Sequence, residues 1–476
     1  MRQSHAQPVF FSDAGVAPSE SLISNSSLFD AGRPIDGLFV YPTEVTRDTA
    51  TIRLAGSNLA AVNSVRVRKK GSNEAWHIAK RPRGMLLTRG VINLHLGSEG
   101  EFALPEPLAP NTRYAFEVET SLGVAEGSFL TTPPAETDVR FLVYGDNRTD
   151  AVSHRSVVEA MLKRPRDLLL HTGDYVEVGP RNQDWTVFFA LERELLANRY
   201  LVGAVGNHEL IDPVGANYIK YLAPEGSDPT SLHVERRGFV RAVRWGRAHI
   251  FLLAGMDDGG ESDERIWLEK ELDRSIEDSP GAFRIVALHH SPWSSGPHGN
   301  NRKLAAAGVV DLLVKKRVDV IFAGHDHIYE RGSARGIAYV VTGGGGAPLY
   351  AVKKRIPEAE RVESTHHFLD VEITDGKLTY EAVRDDLSTI ETCVLEKGKG
   401  AFSCDGAPAR IPEPEPTKIT PVAKEPAKSG YDPVFLVFGG IFALGLGMTF
   451  ASRRRRKKRR KKDLPEKRET DKNPRP

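Results

Sequence analysis

The spacing of apolar and polar positions changes character along the chain. Between about residues 37 and 134, short runs alternate apolar and polar side chains. Ala50-Thr-Ile-Arg-Leu54, Ser64-Val-Arg-Val-Arg68 and Tyr114-Ala-Phe-Glu-Val-Glu-Thr120 are examples. A period of two gives each strand one apolar face, and turn residues separate the runs closely, so this stretch predicts a small all-β sandwich. From about 138 to 390 a different texture takes over. Strand-like runs at Val139–Tyr144, Asp167–His171, Leu201–Val205, Ala248–Ala254, Arg284–Leu288 and 318–322 alternate with helical patterns at Val152–Lys163, Trp185–Asn198 and Leu304–Lys316. That alternation predicts an α/β layered domain. No repeat at solenoid spacing is visible.

The ends of the chain break both patterns. Residues 1–36 carry no core pattern, and Gln3, Ser4, His5 and Gln7 interrupt any secretory h-region, so a flexible leader is expected. After about 391 comes a hairpin with two cysteines, then a Pro- and Lys-rich linker from Arg410 to Pro433. Val434–Ala451 is a run of eighteen uncharged, mostly apolar residues. As a helix it would span ~27 Å, close to the hydrocarbon thickness of a bilayer. Ten consecutive basic residues follow, Arg453–Lys462, so the run predicts a membrane span with a cytoplasmic tail at 452–476 and the body outside. Gly439, Ala443 and Gly447 share one face of such a helix, which would permit weak dimerisation by close pairing.

Charge sharpens this picture. The 476 residues carry a net +2, yet residues 453–476 hold fourteen Lys/Arg against four Asp/Glu, so the other 452 residues carry −8. A negative body argues against a nucleic-acid partner and assigns the basic character to the tail. Cys393 and Cys404 are the two cysteines, with ten residues between them that include Gly398 and Gly400. That closeness suits a disulfide-closed hairpin in an oxidising compartment, rather than two buried thiols.

Candidate chemistry sits where the α/β strands end. Five clusters recur in order: Gly145-Asp-Asn-Arg148, Gly173-Asp-Tyr175, Gly206-Asn-His-Glu209, His289-His-Ser-Pro-Trp293 and Gly324-His-Asp-His327. Glycine or proline allows a sharp turn at each strand end, and Asp, Asn and His suit borderline divalent metals. Each cluster alone has an ordinary reading as a turn or a surface histidine; five in sequence point to a metal centre. Two ions ~3.5–4 Å apart can hold a phosphoryl group and its attacking oxygen together.

These clusters resemble the calcineurin-like metallophosphoesterases, and Gly-Asn-His-Glu, His-Ser-Pro-Trp and Gly-His-Asp-His-Ile-Tyr-Glu-Arg resemble the purple acid phosphatase branch. Leu108–Pro134, with its Pro-Asn-Thr-x-Tyr approach and Thr-Pro exit, is similar to the end of a fibronectin type III domain, which is typical in front of that branch. The resemblance implies a four-layered α/β fold of two sheets flanked by helices, and two divalent ions (manganese, zinc or iron). It implies that Asp146 and His327 hold the first ion, that Asp174 bridges, and that Asn207, His290 and His325 hold the second. His290 is preferred to His289 because it directly precedes Ser-Pro-Trp. His208 would contact phosphate or protonate the leaving oxygen. His298 either reaches the substrate or is an ordinary loop histidine, and Arg148 either clamps phosphate or forms a salt bridge. Gly343–Gly346 reads as close backbone approach to the site or as a plain turn.

The implied activity is hydrolysis of a phosphate monoester by metal-activated water, with a diester or pyrophosphate as variants. A nuclease on the same metals and a non-catalytic surface binding protein are the rival readings. Two departures from the family stand out. The phenolate that colours purple acid phosphatases comes three residues after the bridging Asp, where this chain has Glu177, and Arg148 stands where other metallophosphoesterases carry a ligand histidine. A colourless enzyme is therefore expected.

Overall fold

A computed structural model describes residues 37–56, 60–79, 86–87, 90–98, 102–212, 214–224, 238–255 and 263–405. The expected leader, the linker, the 434–451 span with its Gly439, Ala443 and Gly447 face, and the basic tail lie outside the described residues. Among the described residues no helix is long and apolar enough to cross a membrane.

The alternating N-terminal stretch forms β1 (Leu38–Thr43), β2 (Ala50–Gly56), β3 (Ala60–Lys69), β4 (His77–Ala79), β5 (Leu86–Leu87), β6 (Gly90–Gly97), β7 (Phe102–Ala103), β8 (Arg113–Thr120) and β9 (Gly123–Leu130). They make two sheets, β1-β2-β6-β7 and β4-β3-β8-β9, with β5 beside β3. The period-two pattern explains the core between them: Tyr114, Phe116 and Val118 of β8 point in, as do Ile52, Leu54, Leu94 and Leu96 of the facing sheet. The Tyr114 hydroxyl accepts the Ala109 N–H at 2.9 Å, pinning the loop before β8.

In the α/β part, β10 (Val139–Tyr144), β11 (Leu168–His171) and β12 (Tyr200–Gly203) run parallel, with α1 (Ala151–Leu162) and α2 (Asn182–Asn198) as crossovers. Asp150 caps α1 by accepting the N–H groups of Val152 and Ser153. After α3 (Ala216–Tyr221), a second sheet begins with β13 (Arg241–Trp245), β14 (Ala248–Leu252) and β15 (Phe283–His290), with α4 (Asp263–Asp278) crossing between β14 and β15. The helix expected over 304–316 is instead two, α5 (Arg302–Ala306) and α6 (Val309–Lys315), because Gly308 takes a left-handed φ of 71° between them. β16 (Val320–Gly324), β17 (Tyr329–Ala334), β18 (Ile337–Thr342) and β19 (Ala359–Glu363) complete that sheet. The chain then returns to the first with β20 (His367–Thr374), β21 (Lys377–Arg384), β22 (Thr389–Glu396) and β23 (Ser403–Asp405). The strand orders are β12-β11-β10-β20-β21-β22-β23 and β13-β14-β15-β16-β18-β17-β19.

Alternate residues on each central strand enter different cores. Phe141 and Val143 meet Ile285, Ala287, Val320 and Phe322 between the sheets. Leu142 and Tyr144 face Val157, Met161 and Phe188 of α1 and α2. Val286 and Ile321 face Leu268, Leu272 and Leu313 of α4 and α6. The result is a helix–sheet–sheet–helix stack. Each fully buried Leu, Val, Ile or Phe contributes about 1.5–3 kcal/mol, so these layers dominate the stability and the polar links between them orient rather than drive. One such link joins the sheets, where Arg331 and the Tyr329 hydroxyl both donate to Glu391. Cys393 and Cys404 pair directly across β22 and β23 and form a disulfide.

Candidate metal centre

Parallel strands present their carboxyl ends on one side, which is where ligands gather in open α/β sheets. The loops after β10, β11 and β12 therefore bring Asp146, Asp174 and Asn207 to the same place as His289 of β15 and His325 after β16. Three of these residues sit in the left-handed region: Asp146 (φ 56°), Asp174 (φ 58°) and His325 (φ 72°). Such conformations cost about 1–3 kcal/mol each and persist when the surroundings over-determine them. Here both Asp146 oxygens accept the His325 N–H at 3.0 Å, and Ala347 N–H binds the Asp146 carbonyl at 2.8 Å. A Cβ on Gly206 would collide with the Asp174 carboxylate, and one on Gly324 with that of Asp146, so both positions require glycine.

Four ligand-type atoms converge on one side. His289 Nε2 lies 3.0 Å from Asn207 Oδ1, 3.3 Å from Asp174 Oδ1 and 3.1 Å from His325 Nδ1. Its other nitrogen, Nδ1, donates to the Thr172 carbonyl at 2.9 Å, which fixes the ring and leaves Nε2 to face the cluster. Asp174, His289 and His325 all present ligand atoms within 4.8 Å of one another. Carboxylate, amide oxygen and two imidazoles form a donor set that fits a divalent ion. The structure places His289, rather than the expected His290, against this cluster. β15 carries a bulge between Leu288 and His290, which turns His289 into the site, while His290 Nε2 donates to the Gly299 carbonyl at 3.0 Å.

The other side is different. His327 Nδ1 donates to the Pro348 carbonyl at 2.7 Å, so its Nε2 faces inward, 3.6 Å from Asp146 Oδ1. Arg148 reaches into that space. Its Nε donates to Asp174 Oδ2 at 3.3 Å, its Nη1 to Glu177 at 2.6 Å, and its Nη2 lies 3.4 Å from His327 Nε2. Glu177 is also held by the Thr149 hydroxyl. A guanidinium only donates, so the atoms expected to hold the first ion meet N–H groups instead, and the fit there fails. Of the two roles open to Arg148, the salt bridge is the one formed.

Electrostatics follow the geometry. Burial raises Asp146 to about 7, and the Asp174 charge adds to it, against His289 and Arg148. Asp174 is equally buried, yet His289, His208 and Arg148 outweigh that burial and hold it well below the usual carboxylate range. Burial would lower His289, but Asp174 and Asp146 raise it to about 9. Burial, with Arg148 beside it, lowers His327 to about 4.

At the rim, His208 donates from Nδ1 to the Glu177 carbonyl at 2.5 Å and turns Nε2 toward Asp174 Oδ2, 3.8 Å away. The His298 ring lies 4.0 Å from the His325 ring, tilted by 37°, and pairs through Nδ1 with Asp326 Oδ1 at 2.8 Å. Two supporting residues were not singled out by the sequence. Asp326, between the two ligand-type histidines, is buried and also accepts from Ser294 and the His298 N–H. Glu209 accepts the N–H groups of Asp174, Tyr175, Val176 and Gly206 at 2.8–3.3 Å, so one carboxylate ties two ligand loops together. Its place at the end of Gly-Asn-His-Glu was the available signal. The Gly343–Gly346 run packs against the Gly145 loop, with Gly345 N–H on the Gly145 carbonyl at 2.9 Å.

The calcineurin-like phosphoesterase profile matches residues 139–329. Probable purple acid phosphatase 20 of Arabidopsis thaliana is 29% identical over 275 residues, covering 53% of this chain and 62% of that protein. Purple acid phosphatase 21 of the same plant is 26% identical over 323 residues, covering 60% and 68%. The chain thus spans less than two thirds of the first of these relatives. Among solved structures, purple acid phosphatase PPD1 from yellow lupin (Lupinus luteus) seeds shares the fold at a TM-score of 0.59 and 17% identity, over 75% of this chain and 74% of that one. Residues 139–329 thus match the calcineurin-like phosphoesterase profile, and the chain is similar in sequence to purple acid phosphatases over 53–60% of its length.

Proposed function

We propose that this chain is a metal-dependent phosphoester hydrolase whose preferred substrate is a phosphate monoester. The convergence of Asp174 Oδ1, Asn207 Oδ1, His289 Nε2 and His325 Nδ1 carries the reading. A divalent cation held by those atoms would supply Lewis acidity and a more acidic water. The chain's own residues do the rest. Asp174 offsets the cation's charge, and the Thr172 carbonyl keeps His289 Nε2 pointed inward. With Nδ1–H anchored on Glu177, His208 in its protonated form donates from Nε2 to the departing oxygen.

The test is hydrolysis of p-nitrophenyl phosphate, bis(p-nitrophenyl) phosphate and pyrophosphate with manganese, zinc or ferrous iron. The monoester should be fastest, with activity lost to a chelator and restored by metal. His208→Ala should keep bound metal and lose about 10²–10⁴-fold in turnover. A metal-loaded chain inactive on all three compounds would overturn the reading, and so would a His208→Ala variant that no longer binds metal.

We further propose that the catalytic domain lies outside the cytoplasm on a single span at 434–451, behind a fibronectin type III-like sandwich. The apolar run followed by Arg453–Lys462, and the Cys393–Cys404 disulfide, support the location. The two sheets and the Tyr114 corner support the sandwich assignment. Protease added to intact cells should remove the catalytic domain; full protection of that domain would refute the orientation.

A further inference from the structure

We propose that this centre works with a single divalent ion, the place of a second being filled by the guanidinium of Arg148; the inference rests on the hydrolase reading above. Asp146, Asp174 and His327 are the residues that would enclose the other ion. Two of their inward atoms, Asp174 Oδ2 and His327 Nε2, lie 3.3 and 3.4 Å from nitrogens of one side chain, Arg148. Guanidinium stays protonated throughout the range in which proteins fold, offers donors and no lone pair, and repels a cation at this range.

The side chain is also fastened in place. Glu177 accepts from Nη1 at 2.6 Å and is itself held by Thr149, and Arg148 is 13% exposed. Moving Arg148 aside would strip both carboxylates, Asp174 and Glu177, of a charge-assisted partner. The two departures noted in the sequence, Arg at 148 and Glu at 177, are therefore one feature, a salt bridge that replaces two would-be ligands with a fixed positive charge. The opposite cluster keeps a complete donor set, including Asp174 Oδ1, which faces away from Arg148 toward His289. On this arrangement Asp174 holds the guanidinium on Oδ2 and would offer Oδ1 to an ion.

The test is metal stoichiometry on the full chain loaded with Mn(II), freed of excess ion and measured by elemental analysis against protein concentration. One ion per chain is expected, with the electron paramagnetic resonance signal of isolated Mn(II). Two ions per chain, with a spin-coupled signal, would overturn the inference and leave the hydrolase reading standing; no bound ion would overturn both. Arg148→His exchanges donors for a ring nitrogen and should raise the ratio to two. Because it strands Glu177, the paired variant Arg148→His with Glu177→Gln is measured beside it. A ratio that stays at one in both, with unchanged melting temperature, would show that Arg148 is not what excludes the second ion.

Discussion

His289 and His290 are chemically the same residue one position apart, and only backbone geometry separates their roles. On a regular strand, neighbours point to opposite faces, so the sequence cannot say which face holds the metal until the register is known. The bulge at the end of β15 adds a further turn that no side chain announces. His289→Ala should therefore lose the ion and activity together, while His290→Ala, which removes one hydrogen bond to Gly299, should retain metal at wild-type stoichiometry. The reverse pattern in elemental analysis would restore the choice made from the motif. Tyr175 was more legible. It follows Asp174 directly and turns into the core, its ring stacked 3.8 Å from His171 and beside Trp185 and Phe188. Iron-loaded protein should accordingly be colourless; a visible charge-transfer band lost in Tyr175→Phe would contradict that placement. The clusters that converge here were readable as motifs because strand-end motifs keep their order in sequence, though not down to the choice between His289 and His290. Glu209 and Asp326 were less so, since their work is done on backbone N–H groups and on a neighbouring histidine.

At the scale of elements, periodicity located β10 to β12, β14 to β16 and the helices α1 and α2, but it named neither β13, α4 nor the strands from β17 to β21, and it missed the break between α5 and α6. Leu304–Lys316 reads as one amphipathic run, and only the left-handed Gly308 divides it. How elements dock on one another was not readable either, and His249 shows why that matters. It lies on β14, is 2% exposed, and binds Ser275 of α4 through Nδ1 at 2.7 Å. Burial lowers its pKa from 6.5 to about 3, with Arg244 of β13, Arg284 of β15 and Lys397 beyond β22 adding to the effect. A depressed folded-state pKa means that the unfolded chain takes up the proton first. The stability His249 contributes is then present above about 6.5 and is lost as pH falls toward about 3. His249→Gln keeps a hydrogen-bonding side chain and removes the titration. Its urea midpoint relative to wild type should therefore improve steadily between about pH 6.5 and pH 3. A pH-independent difference across that window would show that the docking of α4 is not sensitive to this group.

Across the whole molecule, the sequence separated an all-β part from an α/β part but gave no sign of how firmly they are joined. The described residues fall in one compact unit. Its joint is polar at the centre and aromatic around it. Arg53 of β2 is 1% exposed and donates through Nη1 to the carbonyls of Tyr221 and Ala223, both at 2.9 Å, and through Nε to Asn93 at 2.7 Å. The Tyr41 hydroxyl donates to the same Tyr221 carbonyl at 2.8 Å, and Phe39 and Tyr41 stack on Phe189 of α2 at 5.5 and 5.3 Å. The Tyr221 carbonyl ends α3, where the last turn of a helix leaves acceptors without partners, and Ala223 follows just beyond it. An arginine from the sandwich thus reaches the end of a helix of the α/β part, and an alternating strand pattern cannot reveal that because Arg53 occupies an outward position in it. Hydrogen bonds to charged groups contribute about 1.5–3 kcal/mol each, and buried carbonyls left unpaired add their own desolvation cost. Arg53→Ala should therefore destabilise the protein by roughly 3 kcal/mol or more. It should also split one unfolding transition into two, the sandwich melting apart from the α/β stack. Conservative replacement by Arg53→Lys should recover part of the loss, since an ammonium can reach a carbonyl but cannot also serve Asn93 in the same plane. If Arg53→Ala melts in a single transition within about 0.5 kcal/mol of wild type, the margin expected of an ordinary surface change, the aromatic rim alone holds the two parts together.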